Sequence, residues 1–261
     1  MTAAGGAPVI ILGYPHGGTE RLRAILAQHS ELACTAGTGI VPLAEQVIAT
    51  WRSVDLRAAG PPSPLAISSA RTLTTSLITA ILARTGGRRW CETAFTPPGV
   101  AATFLGLYPA TRILCLHRGC ADVIGEALRA SPWGLSGPAF APFIAAQPGS
   151  TVAALTAYWT ARTTELIRFA QDHAESVRQV RYEDLSGGAT DDDIREFLGL
   201  APGPAQVPGL NPGGRQTGGQ DGPVPVHTEP FPAGQVPAWL LDDANRLLRE
   251  LGYPPLGKNE L

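Results

Sequence analysis

The chain has 261 residues, of which 44% are apolar and 16% charged, with a formal net charge of −2. That length and composition allow a sizeable core and exclude a disordered chain, and the near-neutral balance gives no basic field for nucleic acid or a polyanionic glycan. The opening residues, Met1 to Gly6, hold no basic segment followed by an apolar one. No run of ~18 apolar residues free of Pro and charge occurs, so the expectation is a cytoplasmic protein without a signal peptide or membrane span.

Short apolar runs alternate with helical periodicity along the chain. This predicts βα units around a mostly parallel sheet, in a single domain over residues 1–261. Strands are expected at 8–13, 31–35, 89–94, 112–117 and 177–182. Helices are expected at 19–29, 40–53, 67–85, 98–107, 120–130, 150–174, 190–198 and 236–251, the last ending at Gly252 as a glycine-terminated helix should.

The first strand, Val9 to Leu12, runs through Gly13-Tyr14-Pro15-His16-Gly17-Gly18 into a helix starting at Thr19. Such a turn aims backbone N–H groups and the positive end of a helix at one point, which suits a phosphate-like anion. Glycines let the backbone approach closely, and the Thr19 hydroxyl is placed to cap the helix and donate to an oxyanion. The spacing Gly13-x4-Gly18 matches the start of a Walker A loop, yet Thr19 stands where that motif requires Lys. A kinase reading is thereby disfavoured.

Further along, the strand Ile113 to His117 ends in Arg118 just before a helix, offering a two-pronged donor for a phosphate. Asp122 reads as a helix cap or an Arg118 partner, and His117 as a buried strand residue. The run Val177 to Leu185 again passes from strand to turn. Tyr182 is placed there to lay its ring against a nucleotide base, with Glu183 and Asp184 as caps. Cations are arginines almost throughout, Lys258 being the one lysine among 20 basic residues. Cys34, Cys91, Cys115 and Cys120 form no CxxC pair and read as small buried apolar groups.

Two stretches break the alternation. Between Ala130 and Ala161 there is no charged residue and no histidine, while Trp133, Phe140, Phe143, Tyr158 and Trp159 occur there. Its first part, Ser131 to Gly149, carries four Pro and three Gly and is expected to be a loop. From Ala201 to Gln235, 16 residues are Gly or Pro, a long connecting loop or lid. With Trp51 and Phe95, the aromatic stretch suggests the walls of a pocket for an apolar or aromatic small molecule.

In order, these pieces resemble the sulfotransferases that use 3′-phosphoadenosine 5′-phosphosulfate (PAPS), specifically the bacterial type with a heparan-type Gly-Gly-Thr loop. His16-Gly17-Gly18-Thr19 resembles the 5′-phosphosulfate loop, and His29-Ser30-Glu31-Leu32 the family's His-Pro-x-Leu. Trp90-Cys91-Glu92-Thr93 falls at a Trp-x-Asp/Glu-Lys-Thr-Pro pattern. Tyr108-Pro109, then Arg118 with Asp122-Val123, look like the 3′-phosphate segment. Trp159 followed by Arg181-Tyr182-Glu183-Asp184-Leu185, and the ending Leu251-Gly252-Tyr253, complete the set over about residues 8–253. The resemblance implies the P-loop-like sulfotransferase fold, an α/β domain with a central mostly parallel sheet. It also implies transfer of a sulfuryl group from PAPS to an acceptor hydroxyl or amine, without a metal. His16 would be the catalytic group. Pro15, Gly17, Gly18, Thr19, Glu20, Arg118, Glu126, Tyr182 and Arg215 would line the cofactor site.

The departures from that family cluster at charged positions. His16 replaces a Lys or Arg, Glu20 a Thr or Arg, Glu126 a Ser facing the 3′-phosphate, and Thr93 a Lys. The heparan-type catalytic Glu would fall near Thr38 and is absent. Arg21, Arg23 and Arg215 compensate if they fold inward. His16 is then a protonated cation, a neutral general base, or a sign that the fold now carries another chemistry or only binds a small molecule.

Overall fold

The computed structural model describes residues 6–54, 60–131, 134–186, 188–201 and 231–257. Arg215, Trp133 and most of the expected 201–235 loop lie outside the described residues. Five strands form the sheet: β1 (Val9–Leu12), β2 (Leu32–Ala36), β3 (Arg89–Ala94), β4 (Arg112–His117) and β5 (Val177–Arg181). All four pairings are parallel, in the order β2-β3-β1-β4-β5. The helices are α1 (Thr19–Leu26), α2 (Ile40–Val54), α3 (Pro64–Thr85), α4 (Pro98–Leu107), α5 (Cys120–Ala130), α6 (Ala141–Ala146), α7 (Thr151–Asp172), α8 (Gly188–Leu198) and α9 (Ala238–Glu250).

β1 and β3 have no exposed residue, as a central parallel strand covered on both faces requires. Alternation along the strands then splits the core in two. Ile10, Leu12, Trp90, Ile113 and Cys115 face one way, packed with α2, α4, α5, α7 and α9. Val9, Ile11, Cys91, Leu114 and Leu116 face the other way, packed with Leu22 and Leu26 of α1 and Ile194 and Leu198 of α8. From β1 the chain first builds outward to β2 and β3 on one side and then crosses to β4 and β5 on the other. The crevice beyond the carboxyl ends of β1 and β4 is therefore the topological switch point, where open α/β sheets bind ligands.

Two expectations are corrected. The segment Ser131 to Gly149 is not all loop, because α6 forms inside it, with Pro142 in its first turn where a missing N–H costs nothing. The aromatics there are also largely core: Trp159, Phe140 and Tyr158 are 0%, 1% and 6% exposed. Phe140 and Phe143 each meet the Tyr158 ring edge-on. Of the suggested pocket walls, Phe95 is exposed just beyond β3, and Trp51 and Phe143 are half-buried. The four cysteines are free thiols, three of them buried.

Among the described residues, α3 is the one helix long and apolar enough to cross a membrane by length and composition. It lies on the protein surface. Its inner side, Ala66, Ala70, Thr74 and Ile78, is buried, and the Tyr108 hydroxyl is 2.7 Å from the hydroxyls of both Thr74 and Thr75.

His117 closes β4 fully buried, as expected for a strand residue. Burial pushes its imidazole down to about 4, against an opposing pull from the Gln179 side chain. The unfolded chain therefore binds a proton between pH 6.5 and 4 that the folded chain does not, so stability falls as pH falls through that window, by roughly 3 kcal/mol. Urea unfolding of wild type and His117→Gln at pH 7.5 and 4.5 should show this acid loss in the wild type alone. An equal loss in both would mean that His117 is charged in the folded protein.

Candidate functional site

The loop from Gly13 to Gly18 folds back on itself, the Gly17 N–H donating to the Tyr14 carbonyl at 2.9 Å. His16 has φ 62°, a left-handed conformation that His tolerates better than most residues. Gly18, at φ 87°, caps α1 in the same region, and no side chain caps this helix. The expectation that Thr19 caps the helix is thus corrected: it is the first helical residue, 3% exposed, and its methyl packs against Gly13. Because the cap offers no acceptor, no carbonyl or side chain among the described residues takes the N–H groups of Gly18, Thr19 and Glu20. Three open donors at the positive end of a helix make the local chemistry of an anion site. Pro15 is half-buried beside them. The Thr93 hydroxyl is buried without a partner, on a residue paired with Ile11 and so on the sheet face that α1 covers.

Tyr14 ties this loop to the end of β4. Its buried hydroxyl donates to the Arg118 carbonyl and accepts the Arg118 N–H, both at 3.2 Å. Trp159 donates from its ring nitrogen to the same carbonyl at 3.0 Å. The Arg118 side chain then reaches back, donating to the His16 carbonyl at 2.9 Å. It also forms a close ion pair with Glu126 Oε2. Glu126, not Asp122, is its partner. The other Glu126 oxygen stands 3.9 Å from His16 Nδ1. His16, together with the closer Arg118 guanidinium, holds the Glu126 carboxyl down at about 2 against the desolvation that opposes it.

Tyr182 follows β5 in a 3₁₀ turn (Tyr182–Ser186). Its ring lies under the Arg118 guanidinium, 4.4 Å from centroid to Cζ, with Arg21 at 5.4 Å. It also presses on Gly18, where an added Cβ would sit 2.1 Å from the ring. Glu183 caps as expected, accepting the Gly119 N–H at 3.2 Å and the Tyr253 hydroxyl at 2.6 Å. Tyr253 carries the Arg181 guanidinium on its ring. Sequence reasoning assigned no such role to Tyr14, Trp159 or Tyr253; their polar tips inside an apolar context were the available signal.

Two further carboxyl groups are each held by a neighbour. Glu20 is exposed and accepts from Arg23 Nε at 2.9 Å, so Arg23 neutralises this carboxylate and does not fold inward. A carboxyl does reach the Thr38–Gly39 loop, but from β3: Glu92, 1% exposed, accepts the Gly39 N–H at 2.9 Å and holds the start of α2. Burial raises its pKa. Among the described residues no three His, Cys, Asp or Glu side chains gather as a metal site would need.

His16, Gly17, Gly18, Thr19, Arg118, Glu126 and Tyr182 thus come together at the switch point, while Glu20 turns outward. Residues 8–201 match the model of the sulfotransferase family. No curated protein has a matching sequence. Among solved structures, the chain is similar to the sulfotransferase domain from the curacin biosynthetic pathway, at 16% identity and a TM-score of 0.58 over 95% of this chain and 98% of that one. It is similar to the sulfotransferase domain of the Synechococcus PCC 7002 olefin synthase, at 15% and 0.55 over 95% and 96%. It is likewise similar to a sulfotransferase from Alicyclobacillus acidocaldarius, at 16% and 0.54 over 95% and 96%. At these identities the structures share a fold with the chain.

Proposed function

The chain belongs to the sulfotransferase family, and from that premise we propose that it moves a sulfuryl group from a nucleotide 5′-phosphosulfate of the PAPS type to a hydroxyl or amine of a small apolar or aromatic molecule, in the cytoplasm. The observation that carries this reading is the convergence of three open N–H groups, His16 and Arg118 beyond β1 and β4. The acceptor oxygen or nitrogen bonds to sulfur as the bond from sulfur to the bridging phosphate oxygen breaks, and the nucleotide leaves as a phosphate. Charge grows on that bridging oxygen, so fixed donors aimed at it lower the barrier. The N–H groups of Gly18, Thr19 and Glu20 are such donors, and His16 adds the cation that the loop otherwise lacks. Phe95, exposed beyond β3, would face the acceptor.

A second reading, in which the fold now serves a different ligand, draws on one observation: Glu126 already neutralises Arg118. Thermal unfolding with PAPS and with adenosine 5′-phosphosulfate tests both. Ligand at ~100 times its dissociation constant should add about 2.7 kcal/mol of stability. No shift with either compound at millimolar concentration would sink the sulfuryl-transfer reading and favour the second.

A further inference from the structure

At one edge of the sheet two thiols stand side by side. Cys34 on β2 and Cys91 on β3 are register partners, the middle pair of the five that join these strands. Both lie on the sheet face that α1 covers, packed in one apolar cluster with Leu22 and Leu26. Their register is pinned next door. The Thr35 hydroxyl donates to the Cys91 carbonyl at 3.1 Å, and Trp90 donates from its ring nitrogen to that hydroxyl at 3.1 Å. Neighbouring strands run about 4.8 Å apart, within the ~4.4–6.8 Å that the Cα atoms of a disulfide span. β2 is an edge strand with β3 its one partner in the sheet, so it can give where such a bond needs it.

The two thiols differ in reach and in acidity. Cys91 is fully buried, whereas Cys34 is half-buried. A hydrogen bond from Cys91 pulls the Cys34 thiol down against its burial, helped by Arg23 of α1, and the same bond pushes the Cys91 thiol up. A reachable sulfur of thiolate character beside a second thiol is the arrangement of a redox-sensitive pair. Cys115 and Cys120 are placed differently: both are 0% exposed, and burial pushes their thiols up. We propose that Cys34 and Cys91 are an oxidation site, at which Cys34 meets a peroxide and Cys91 resolves the product into a disulfide joining β2 to β3. The Cys34 thiolate attacks one peroxide oxygen and the O–O bond breaks. Cys34 becomes a sulfenic acid, and the departing hydroxide takes up the proton that Cys34 had released. The Cys91 sulfur then bonds to the Cys34 sulfur, and the sulfenic oxygen leaves as water with the Cys91 proton. Two thiols thereby lose two electrons, and one peroxide is reduced to two waters. The site stands apart from the sulfuryl-transfer reading and does not depend on it.

Peptide mapping of the full chain tests this, because trypsin cutting after Arg23, Arg52, Arg89, Arg112 and Arg118 leaves each cysteine on its own peptide. The reduced protein is exposed to submillimolar hydrogen peroxide, blocked with a maleimide, digested and read by mass spectrometry. Peptides 24–52 and 90–112 should appear joined, lighter by two hydrogens, in at least tenfold excess over any other cysteine pair. Dithiothreitol should separate them. Cys91→Ser should leave Cys34 as a sulfenic acid that a 1,3-diketone traps, and Cys34→Ser should leave Cys91 a thiol. The wild-type map decides the matter even where a variant folds poorly. The inference is overturned if wild-type Cys34 and Cys91 stay thiols, if Cys34 runs on to a sulfinic acid with no joined peptides, or if Cys115 or Cys120 takes the place of either.

Discussion

Gly18→Ala should abolish nucleotide binding and cost about 2–4 kcal/mol of stability. Two penalties meet at this residue. Its φ of 87° is a left-handed conformation that an L side chain occupies only under strain. The new methyl would also stand 2.1 and 2.2 Å from Cδ2 and Cε2 of Tyr182, atoms of a rigid, 9% exposed ring. The ring has nowhere to retreat without leaving Arg118, and if Gly18 moves instead, the N–H groups of the first α1 turn lose their aim. The pair Gly18→Ala and Tyr182→Ala checks the cause by a double-mutant cycle. Once the ring is absent, the glycine change should cost only its backbone strain, about 1–2 kcal/mol. Equal costs with and without Tyr182 would show that the ring is not what demands glycine.

His16→Ala should lower the rate of sulfuryl transfer ~10²–10³-fold, the usual cost of removing one stabilising group from a developing oxyanion. His16→Lys should keep transfer within about tenfold of wild type, because a cation on the same loop serves the same leaving oxygen. His16→Asn is the control for the backbone, since Asn also accepts positive φ but brings no charge; it should behave like Ala. Asn carries the least strain at residue 16, so a loss shared by Ala and Asn but not by Lys reports the side chain and not the backbone. Equal turnover in wild type and His16→Ala would end any catalytic role. Activity in Ala and Asn with loss in Lys would also refute the cation, since a cation is what Lys restores.

The site was partly legible because its signals are local. Glycine at 13, 17 and 18 after an apolar strand announces a backbone that must bend and be approached, whatever lies elsewhere in the chain. Arg118 at a strand end is of the same kind. The ordered motifs extended this to the family, and residues 8–201 do match its model. What the pattern could not show was how charges pair. Glu126 is eight residues from Arg118 and 110 from His16, and only the pairing of β4 beside β1 puts all three in one place. Asp122, nearer in sequence to Arg118, was the candidate partner and is not the one used. Aromatic residues misled for a related reason: a charge-free aromatic run reads alike as pocket wall or core, and the burial of Phe140, Tyr158 and Trp159 is set by what packs on them.

Sequence alone determined the parallel α/β architecture, because hydrophobic period and strand length are properties of each segment. It also determined that the turn after the first strand has the glycine spacing of a phosphate loop without the Walker lysine. Tertiary structure decided which charges stand around that turn. Glu20 is silenced by its own helix neighbour, whereas Glu126 is carried by α5 onto Arg118 and His16, since an ion pair depends on distance through space and not along the chain.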